Sequence, residues 1–335
     1  MKRKRKGIIN FLKDGMLFRQ MTKKKVIITG GAGFIGSHLV DSLVGSGYDV
    51  TVYDNLSTGR LEFLKDSIDR IELVREDLLN DGSLPDRLEG TDHVFHLAAN
   101  PDVRIGVDDT RTSVDQNIIA TYNLLEAIRR ARDGPRGFTF TSTSTVYGNA
   151  TVLPTPEDYG PLVPISQYGA SKLAAEALIS AFSDNFGIRA TCLRFANVVG
   201  SRSTHGILID FINKLKKDPT SLEILGDGTQ MKSYIHVSDC VRGMRFATER
   251  QVGMFEYFNL GTDDSTTVTR IAHIVIEAMG LQDVELVYTG GYRGAGWKGD
   301  VKYMSLKIDK IKELGWNYRM NSEKSLRSAC EELLR

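Results

Sequence analysis

Residues 26–36, VIITGGAGFIG, decide the fold, because an apolar β-branched run ends there directly on a glycine-rich turn. The residues after the turn, to about Val44, have the spacing of an amphipathic helix. A strand–turn–helix unit with glycines three residues apart lets backbone N–H groups and the helix dipole bind a diphosphate. We therefore expect a dinucleotide at this turn, held by Gly30, Gly33, Phe34, Ile35 and Gly36.

An acidic residue ends the second predicted strand. Asp54 lies 24 residues after Gly30, where a carboxylate accepts hydrogen bonds from the adenosine ribose hydroxyls and repels a 2′-phosphate. This arrangement favours NAD over NADP. The alternative is that Asp54 caps the Asn-Leu-Ser-Thr-Gly turn that follows it. Asp77 and Leu78 come after the third predicted strand and are predicted to contact the adenine edge, with a solvated loop carboxylate as the alternative for Asp77.

Strand and helix patterns alternate through the first part of the chain. The strands are predicted at 26–29, 50–54, 71–74, 94–98, 138–142 and 190–195. The helices between them are predicted at 33–44, 114–130 and 171–182. Alternation of this kind, with strands that are apolar on both faces, predicts an α/β fold with a Rossmann-type doubly wound parallel sheet.

The composition and the pattern of predicted elements change beyond residue 196. Loops rich in Gly, Asp and Ser join short strands at 222–225 and 285–287 to helices at 268–279 and 321–334. We therefore predict a smaller C-terminal α/β lobe. The expected division is a basic extension at 1–20, a sheet domain at 21–195 and a second domain at 196–335, some segments of which return to the first.

Composition narrows the classes of function. The chain has 335 residues, of which 41% are hydrophobic and 25% charged, and its net charge is +1. No apolar run reaches the roughly 18–20 residues that span a bilayer, so no membrane helix is predicted. Residues 1–25 carry ten Lys/Arg and one acid, which leaves the remaining chain acidic and argues against a nucleic-acid-binding body. The extension is predicted to be a mobile tail, or to precede a true start at Met21.

Cysteine and histidine usage suggests neither disulfides nor a metal. The cysteines, at positions 192, 240 and 330, are three in number and far apart, which fits a reducing cytoplasm. His93 and His96 are the closest histidine pair, but in a strand a three-residue offset sends their side chains to opposite faces. We therefore predict no metal site.

A phenol and an ammonium lie four residues apart in Tyr168-Gly-Ala-Ser-Lys172. On a helix this spacing places both on one face. A free phenol has a pKa near 10, and a neighbouring Lys cation lowers that pKa and favours the phenolate. The pair is a candidate acid/base site, although the same spacing also occurs in ordinary surface helices.

Six motifs, taken together and in order, resemble the extended short-chain dehydrogenase/reductase family. They are Thr29–Val40 (TGGAGFIGSHLV), Asp54–Gly59 (DNLSTG), His96–Arg104 (HLAANPDVR), Ser142–Gly148 (STSTVYG), Tyr168–Lys172 and Leu193–Gly200 (LRFANVVG). The resemblance is closest to nucleotide-sugar epimerases of the UDP-glucose and UDP-galactose 4-epimerase type. It implies a tightly bound NAD, a nucleotide-sugar-binding C-terminal lobe and a homodimer formed by the helices near 114–130 and 171–182.

The resemblance also implies roles for single residues. Thr143 matches the hydroxyl that bonds the reacting sugar oxygen, with Ser144 as the second choice, while Tyr168 matches the acid/base and Lys172 the residue that grips the nicotinamide ribose. Asn117 matches a supporting asparagine near the cofactor, with a surface amide as the alternative. The implied cofactor contacts also include Asn55, Ser57, Gly59, Leu97, Ala98 and Ala99.

In the C-terminal lobe the resemblance implies a group of residues that bind the substrate diphosphate. Some of these residues differ from those that relatives usually have. Asn197 matches the family asparagine, and Lys232 stands where relatives usually have Arg, which loses the bidentate fork. Asp300 is expected at the uridine ribose, but Trp297 holds the place of an arginine three residues before it, so Arg293 or Lys298 is expected to supply a nearby cation. Met304 either limits the room around the sugar or packs in the core.

The segment Thr143-Ser144-Thr145 bears on the reaction. Dehydratases and sugar-acid decarboxylases of the family carry an acidic residue there, whereas this chain has none, so simple epimerisation is favoured. The leading hypothesis is NAD-dependent 4-epimerisation of a UDP-hexose. Within the same class a UDP-N-acetylhexosamine or UDP-uronic acid 4-epimerase, or a nucleotide-sugar dehydrogenase or reductase, remains open. Two hypotheses lie outside this class of enzyme: a non-catalytic protein that senses a nucleotide, and a nucleic-acid-binding role for the basic extension.

Overall fold

A computed structural model describes residues 23–80, 84–104, 106 and 108–335. The predicted basic extension at 1–20 lies outside these described residues. The strands are β1 (Lys25–Thr29), β2 (Asp49–Tyr53), β3 (Ile71–Val74), β4 (His93–His96), β5 (Gly137–Thr143), β6 (Arg189–Phe195), β7 (Asn197–Val199), β8 (Ser221–Ile224), β9 (Met231–Lys232), β10 (Tyr234–His236), β11 (Phe255–Leu260), β12 (Thr266–Thr267), β13 (Glu285–Tyr288) and β14 (Tyr303–Met304).

The helices alternate with these strands in the first two thirds of the chain. They are α1 (Phe34–Gly45), α2 (Leu84–Arg87), α3 (residues 110–130), α4 (Gln167–Phe186), α5 (Ile207–Lys217), α6 (Val237–Arg250), α7 (Val268–Ala278), α8 (Asp309–Glu313) and α9 (Ser322–Leu334). Within α3 the segment Val114–Ile119 has the wider turns of a π-helix, a feature that often marks a functional region.

The central sheet confirms the predicted Rossmann-type fold. Its strand order is β3-β2-β1-β4-β5-β6-β11, and each neighbouring pair is parallel. The order reverses direction between β1 and β4, so the loops after these two strands diverge and leave a crevice at the carboxyl ends of the strands. Ligands of open α/β sheets bind in such a crevice.

Helices cover both faces of the sheet. Successive residues of a strand point to opposite faces, and apolar residues at both sets of positions have to be buried. Val26 and Ile28 of β1 pack into one core with α1 and α6, whereas Ile27 between them packs into a second core with α3 and α4. All three side chains are at most 2% exposed. This two-sided burial is the reason that the strands read as continuous apolar runs.

The C-terminal lobe has a third core. Helices α5, α7 and α9 enclose it together with β8 and β10. Small sheets complete the lobe: β10 pairs with β7, β13 with β8, and β9 lies between β12 and β14. The predicted boundary at 195/196 falls between β6 and β7, and α6 and β11 from beyond this boundary pack on the central sheet.

Capping residues explain why two helices are longer than predicted. The helix predicted at 171–182 begins at Gln167, because the Ser166 Oγ caps it by accepting the Gly169 N–H at 3.1 Å. It ends at Phe186, and the next residue, Gly187, has a φ of +70°. Tyr168 therefore lies in the first turn of α4. Asp109 caps α3 in the same way, which extends that helix to Thr110.

Three further observations concern features that the described part of the chain lacks. None of its helices is long and apolar enough to cross a membrane. No cluster of three or more His, Cys, Asp or Glu side chains in it is arranged to hold a metal ion. Its three cysteines are buried and unpaired.

Candidate active site

A cleft of about 890 Å³ lies over the carboxyl ends of β1, β4, β5 and β6, beside the C-terminal lobe. It is lined by each residue that the sequence predicted for a cofactor, catalytic or substrate role, with three exceptions. Asn117 lies behind the wall of the cleft, and Arg293 and Lys298 lie outside it. The structure thus brings the separate motifs together in one place.

The glycine-rich turn forms one end of the cleft. Gly30 has a φ of +69°, and a Cβ added there would lie 2.6 Å from the Ala98 nitrogen. A Cβ on Gly36 would lie 2.1 Å from the Gly30 carbonyl oxygen. Helix α1 begins at Phe34 with no side-chain cap and no acid in its first turn, so its N-terminal N–H groups and positive dipole end suit an anion. The turn therefore fits the diphosphate of a dinucleotide.

Asp54 joins this turn to the end of β2. Its Oδ2 accepts the Ala32 N–H at 2.9 Å and its Oδ1 accepts the Leu56 N–H at 2.8 Å. Burial raises the pKa of this carboxyl, and the two backbone hydrogen bonds oppose the rise. Asp54 thus caps the turn that follows it, and it also lines the cleft. Its contact with the adenosine ribose stays a prediction. Beside it, Asn55 Nδ2 donates to Asp77 Oδ2 at 2.8 Å.

A buried hydrogen-bonded chain ties the sheet to α3. Thr29 Oγ1 lies 2.7 Å from His96 Nδ1, and His96 Nε2 lies 2.9 Å from Thr121 Oγ1, which donates to the Asn117 carbonyl at 2.6 Å. Burial lowers the pKa of His96 to about 3, so the ring is neutral. The sequence analysis did not identify this series of hydrogen bonds, because its residues belong to three separate secondary-structure elements.

Tyr168 and Lys172 share one face of α4, as predicted. The Lys172 Nζ is buried, donates to the Thr141 carbonyl at 2.9 Å and lies 5.9 Å from the centre of the Tyr168 ring. Thr143 ends β5, and its Oγ1 accepts the Thr145 N–H at 3.2 Å. A hydroxyl, a phenol and a buried ammonium therefore surround the same part of the cleft.

The electrostatics of this group differ from the sequence-based expectation. Burial raises the pKa of Tyr168 to about 12, and hydrogen bonding with Thr143 opposes the rise. Burial lowers the pKa of Lys172 to about 7, opposed by Cys192 and then Glu176. The structure thus does not show the predicted lowering of the Tyr168 pKa, because desolvation outweighs the attraction of a lysine that donates to Thr141.

A buried ion pair stands directly behind Lys172. Glu176, one turn further along α4, lies 2.7 Å from Arg194 of β6, and both side chains are nearly inaccessible to solvent. Ser142 donates to the same carboxylate at 2.5 Å, and Arg194 donates to the Tyr147 hydroxyl at 3.0 Å. The pair fixes α4 against the ends of β5 and β6. No sequence motif pointed to it.

The substrate side of the cleft carries a different set of contacts. Lys232 Nζ lies 2.5 Å from Asp300 Oδ1, and Asn197 Nδ2 donates to the Ser233 carbonyl at 3.3 Å. Met304 is buried and its sulfur lies 3.7 Å from Ser233 Oγ, so it both packs in the core and lines the cleft.

The structure does not bring Arg293, the cation predicted near the substrate diphosphate, into the cleft. Arg293 is exposed, has a φ of +55° and lies over the Tyr292 ring at 5.2 Å. Its turn carries it away from the cleft. Arg104 lines the cleft instead. The sequence did offer a signal, since Arg104 ends the motif HLAANPDVR, but spacing alone could not show that its side chain faces the C-terminal lobe.

A glycine-rich dinucleotide turn, an acid after the second strand and a Tyr–Lys pair beside a hydroxyl define an NAD-dependent enzyme of the short-chain dehydrogenase/reductase class. Residues 26–261 match the NAD dependent epimerase/dehydratase family. The chain belongs to this family, and NAD is its cofactor.

Known members of the family are similar over most of their length. The UDP-glucose 4-epimerase of Mycolicibacterium smegmatis is 34% identical, with 77% of this chain and 84% of that protein covered. A solved UDP-galactose 4-epimerase is 42% identical with a TM-score of 0.82, covering 92% and 98% of the two chains. The UDP-N-acetylglucosamine 4-epimerase of Methanobrevibacter ruminantium M1, solved with UDP-N-acetylmuramic acid, is 29% identical with the same TM-score and coverage.

Proposed function

We propose that this enzyme interconverts the C4 epimers of a UDP-hexose of the glucose and galactose type, with NAD retained through each turnover. The observation that carries the proposal is the composition of the catalytic corner. Tyr168, Thr143 and Lys172 meet there, and Ser144 and Thr145 follow where an elimination would need a carboxylate. The similarity to UDP-glucose and UDP-galactose 4-epimerases supports the same reaction.

The cofactor-binding and catalytic residues have separate roles in the proposed reaction. The glycine-rich turn, Asp54 and Lys172 are the groups that would hold NAD, which supplies a hydride acceptor and a positive charge when bound. Tyr168 takes the proton from the sugar 4-hydroxyl and later returns it. Thr143 hydrogen-bonds the same sugar oxygen and orients it toward the phenol. Because the sugar is oxidised and then reduced at one carbon, no net redox change results.

Proton removal by Tyr168 at neutral pH needs a phenol pKa below the value of about 12 to which burial raises it. Lys172 lies 5.9 Å from the phenol ring centre, and as a cation it favours the phenolate. The positive charge of oxidised NAD acts in the same direction. We therefore propose that loading of the cofactor completes the acid/base site.

The test uses purified protein without added cofactor. UDP-glucose, UDP-galactose and their N-acetyl counterparts are incubated separately, and the sugars are analysed after hydrolysis. We expect interconversion of the first pair, and a loss of about 100-fold or more in Tyr168→Phe, in line with the contribution of a general acid/base. The matched control is Tyr292→Phe, since Tyr292 is 45% exposed and lies off the cleft. Absence of conversion of all four sugars would reject the proposal.

A second candidate is 4-epimerisation of a UDP-N-acetylhexosamine. The similarity to the M. ruminantium enzyme supports it, and Met304 at the cleft wall is a flexible thioether that does not select between the two kinds of sugar. Faster turnover of the N-acetyl pair would select this candidate. A UDP-uronic acid substrate or a reductase activity is tested in the same assay, and a reductase would consume added NADH.

We also propose that the chain forms a homodimer through α3 and α4. The support is a set of exposed apolar side chains on these helices: Ile119 is 39%, Tyr122 43% and Phe186 50% exposed. Large apolar groups clustered on neighbouring helices are typical of interfaces. Sedimentation that shows a dimer in the wild type and a monomer in Tyr122→Glu is the expected result, and a monomeric wild type would contradict it.

A further inference from the structure

The loop that joins β7 to α5, residues 200–206, forms part of the wall of the cleft. The residues of this loop that line the cleft are Gly200, Ser203, Thr204, His205 and Gly206. The first residues of α5 continue the same wall, and no side chain caps the N-terminus of this helix. The position of the loop therefore sets the shape of the cleft on the side of the C-terminal lobe.

The backbone of this loop has an uncommon conformation. Arg202 has a φ of +65°, in a region that residues other than glycine seldom occupy. Its guanidinium is ion-paired with Asp41 of α1 at 2.8 Å and with Asp66 at 3.5 Å. A backbone conformation of this kind persists where the surrounding structure fixes it, and such positions cluster at functional sites. Contacts from outside the loop therefore help to hold it in place.

Ser201 is held through both of its backbone polar groups, one from each side of the cleft. On the side of the central sheet, the Nε2 of His38 on α1 donates to the Ser201 carbonyl at 3.0 Å. On the side of the C-terminal lobe, the Oε2 of Glu332 on α9 accepts the Ser201 N–H at 2.8 Å. Because α1 begins at the glycine-rich turn, these two bonds connect the cofactor-binding helix to the substrate side of the cleft.

The two side chains that hold Ser201 are themselves oriented by neighbours. The rings of His38 and Phe34 meet edge to face, with 6.0 Å between their centres. Burial lowers the pKa of His38, so at neutral pH the ring is uncharged and its one N–H serves the Ser201 carbonyl. Glu332 Oε1 lies 3.2 Å from His236 Nε2, and the Glu332 side chain is only 27% exposed. Both hydrogen bonds to Ser201 are thus partly shielded from water.

We infer that His38 and Glu332 are positioning residues for the nucleotide sugar, an inference that rests on the proposed function. They fix the 200–206 loop against α1 and thereby set the affinity of the cleft for the substrate. Neither side chain lines the cleft, so each acts through Ser201. The catalytic corner has separate supports, because Tyr168 lies on α4 and Thr143 ends β5. Loss of either hold therefore weakens substrate binding more than it slows the chemical step.

The closing experiment compares Glu332→Ala with the matched control Glu331→Ala, which removes an exposed carboxylate from the same helix. UDP binding is measured by calorimetry on enzyme that retains its cofactor, and KM and kcat are measured with the UDP-sugar that the wild type converts. We expect Glu332→Ala to weaken UDP binding and raise KM by about tenfold, the size of effect for one hydrogen bond to a charged group. NAD content should not change, kcat should stay within about threefold, and Glu331→Ala should match the wild type.

The conservative variant Glu332→Gln tests whether the bond to Ser201 carries the effect. Its amide oxygen can still accept the Ser201 N–H, so we expect UDP affinity within about threefold of the wild type. A loss as large as that of Glu332→Ala would overturn the inference, because the charge of the carboxylate would then matter instead of the bond. Unchanged UDP binding in Glu332→Ala would overturn it as well, and so would a loss of NAD or a decrease in kcat alone.

His38→Ala removes the other hold on Ser201 and does not depend on the folding of the Glu332 variants. We expect a loss of UDP affinity of about tenfold here too, with thermal unfolding as the check on the fold. Since both side chains fix one residue, their effects should be coupled. The double variant should therefore lose much less than the roughly 100-fold that two independent effects would give. A full 100-fold loss would show that the two side chains do not act through one loop.

Turnover of UDP-sugars separates the inference from the proposed function. Conversion by the wild type, together with normal UDP binding in both Glu332→Ala and His38→Ala, overturns the inference alone. UDP binding that depends on these two residues, without conversion of any UDP-sugar, overturns the proposed function alone.

Discussion

Asn117 and Ser171 are joined by a hydrogen bond of 2.9 Å from the asparagine Nδ2 to the serine Oγ. The Oδ1 of the same amide accepts the Asn100 N–H at 2.8 Å, and Ser171 donates to the Tyr168 carbonyl at 2.8 Å. Asn117 is 1% exposed, so water does not compete for these bonds. One buried amide in the π-helical segment of α3 thus connects the loop after β4 to the first turn of α4.

We predict that Asn117→Ala lowers both stability and turnover. Truncation leaves the Asn100 N–H without its buried acceptor, which costs about 1–3 kcal/mol of unfolding free energy, and it frees the turn that carries Tyr168. Urea unfolding and kcat are the measurements. The control is Asn123→Ala on the same helix, which removes one hydrogen bond to the Leu78 carbonyl and should leave kcat unchanged. An unchanged kcat in Asn117→Ala would contradict the positioning role.

The pH profile should reveal the influence of Lys172 on Tyr168. In Lys172→Met the phenol loses a neighbouring cation while burial still raises its pKa, so with NAD bound its pKa is expected to lie above that of the wild type. The phenolate fraction, and with it kcat, then increases about tenfold per pH unit from pH 7 to 10, because the pH stays below the pKa. The wild type, with the cation present, should level off at a lower pH. Both are assayed with saturating NAD and substrate.

Lys65→Met removes an exposed lysine and is expected to keep the wild-type pH profile. If Lys172→Met shows the same plateau as the wild type, the lysine does not tune the phenol and acts on the cofactor alone.

Removing one partner of the Glu176–Arg194 pair should lower the free energy of unfolding more than removing both partners. Arg194→Met strands a buried carboxylate, for which we predict a loss of about 3–5 kcal/mol in unfolding free energy. Adding Glu176→Met removes that stranded charge, so the double variant should be more stable than Arg194→Met by about 1 kcal/mol or more. Denaturant titration of the three proteins measures this. A double variant less stable than the single one would show that the carboxylate is satisfied by Ser142 without the arginine.

Two glycines of α1 offer a matched pair of substitutions. Gly36→Ala places a Cβ 2.1 Å from the Gly30 carbonyl oxygen, whereas a Cβ on Gly45 meets nothing within 4 Å. We predict that Gly36→Ala abolishes NAD retention, because the turn must open to admit the methyl group. Gly45→Ala should retain NAD and gain up to about 1 kcal/mol of stability from a less flexible unfolded chain. Absorbance of the released nucleotide is the readout, and full NAD content in Gly36→Ala would refute the close fit.

The parts of the fold that follow from local chemistry were predictable from the sequence. VIITGGAGFIG joins a buried strand to a helix through a turn that excludes side chains, and each of those properties is visible in the residue types. Tyr168 and Lys172 were predictable for the same reason, since a spacing of four on a helix fixes their common face.

Other parts depend on contacts between distant segments. Glu176 and Arg194 pair across an element boundary, and no periodicity marks either one. Arg104 and Arg293 are both plausible cations from their motifs, but the direction of each side chain is set by a turn whose backbone the sequence does not fix. The pKa of Tyr168 was expected to decrease because a lysine is near in sequence, yet the degree of burial, a tertiary property, decides its direction.

Strand β11, residues 255–260, is the outer strand of the central sheet beside β6. Domains emerge from the ribosome from the N-terminus onward, so β6 is complete long before the strand that covers it has been made. In that interval β6 presents an open row of backbone N–H and C=O groups to other nascent chains, which is a template for intermolecular pairing. A product that stops between residues 195 and 255 keeps this edge open permanently. The central sheet is therefore protected at this edge only once the chain through β11 has been made.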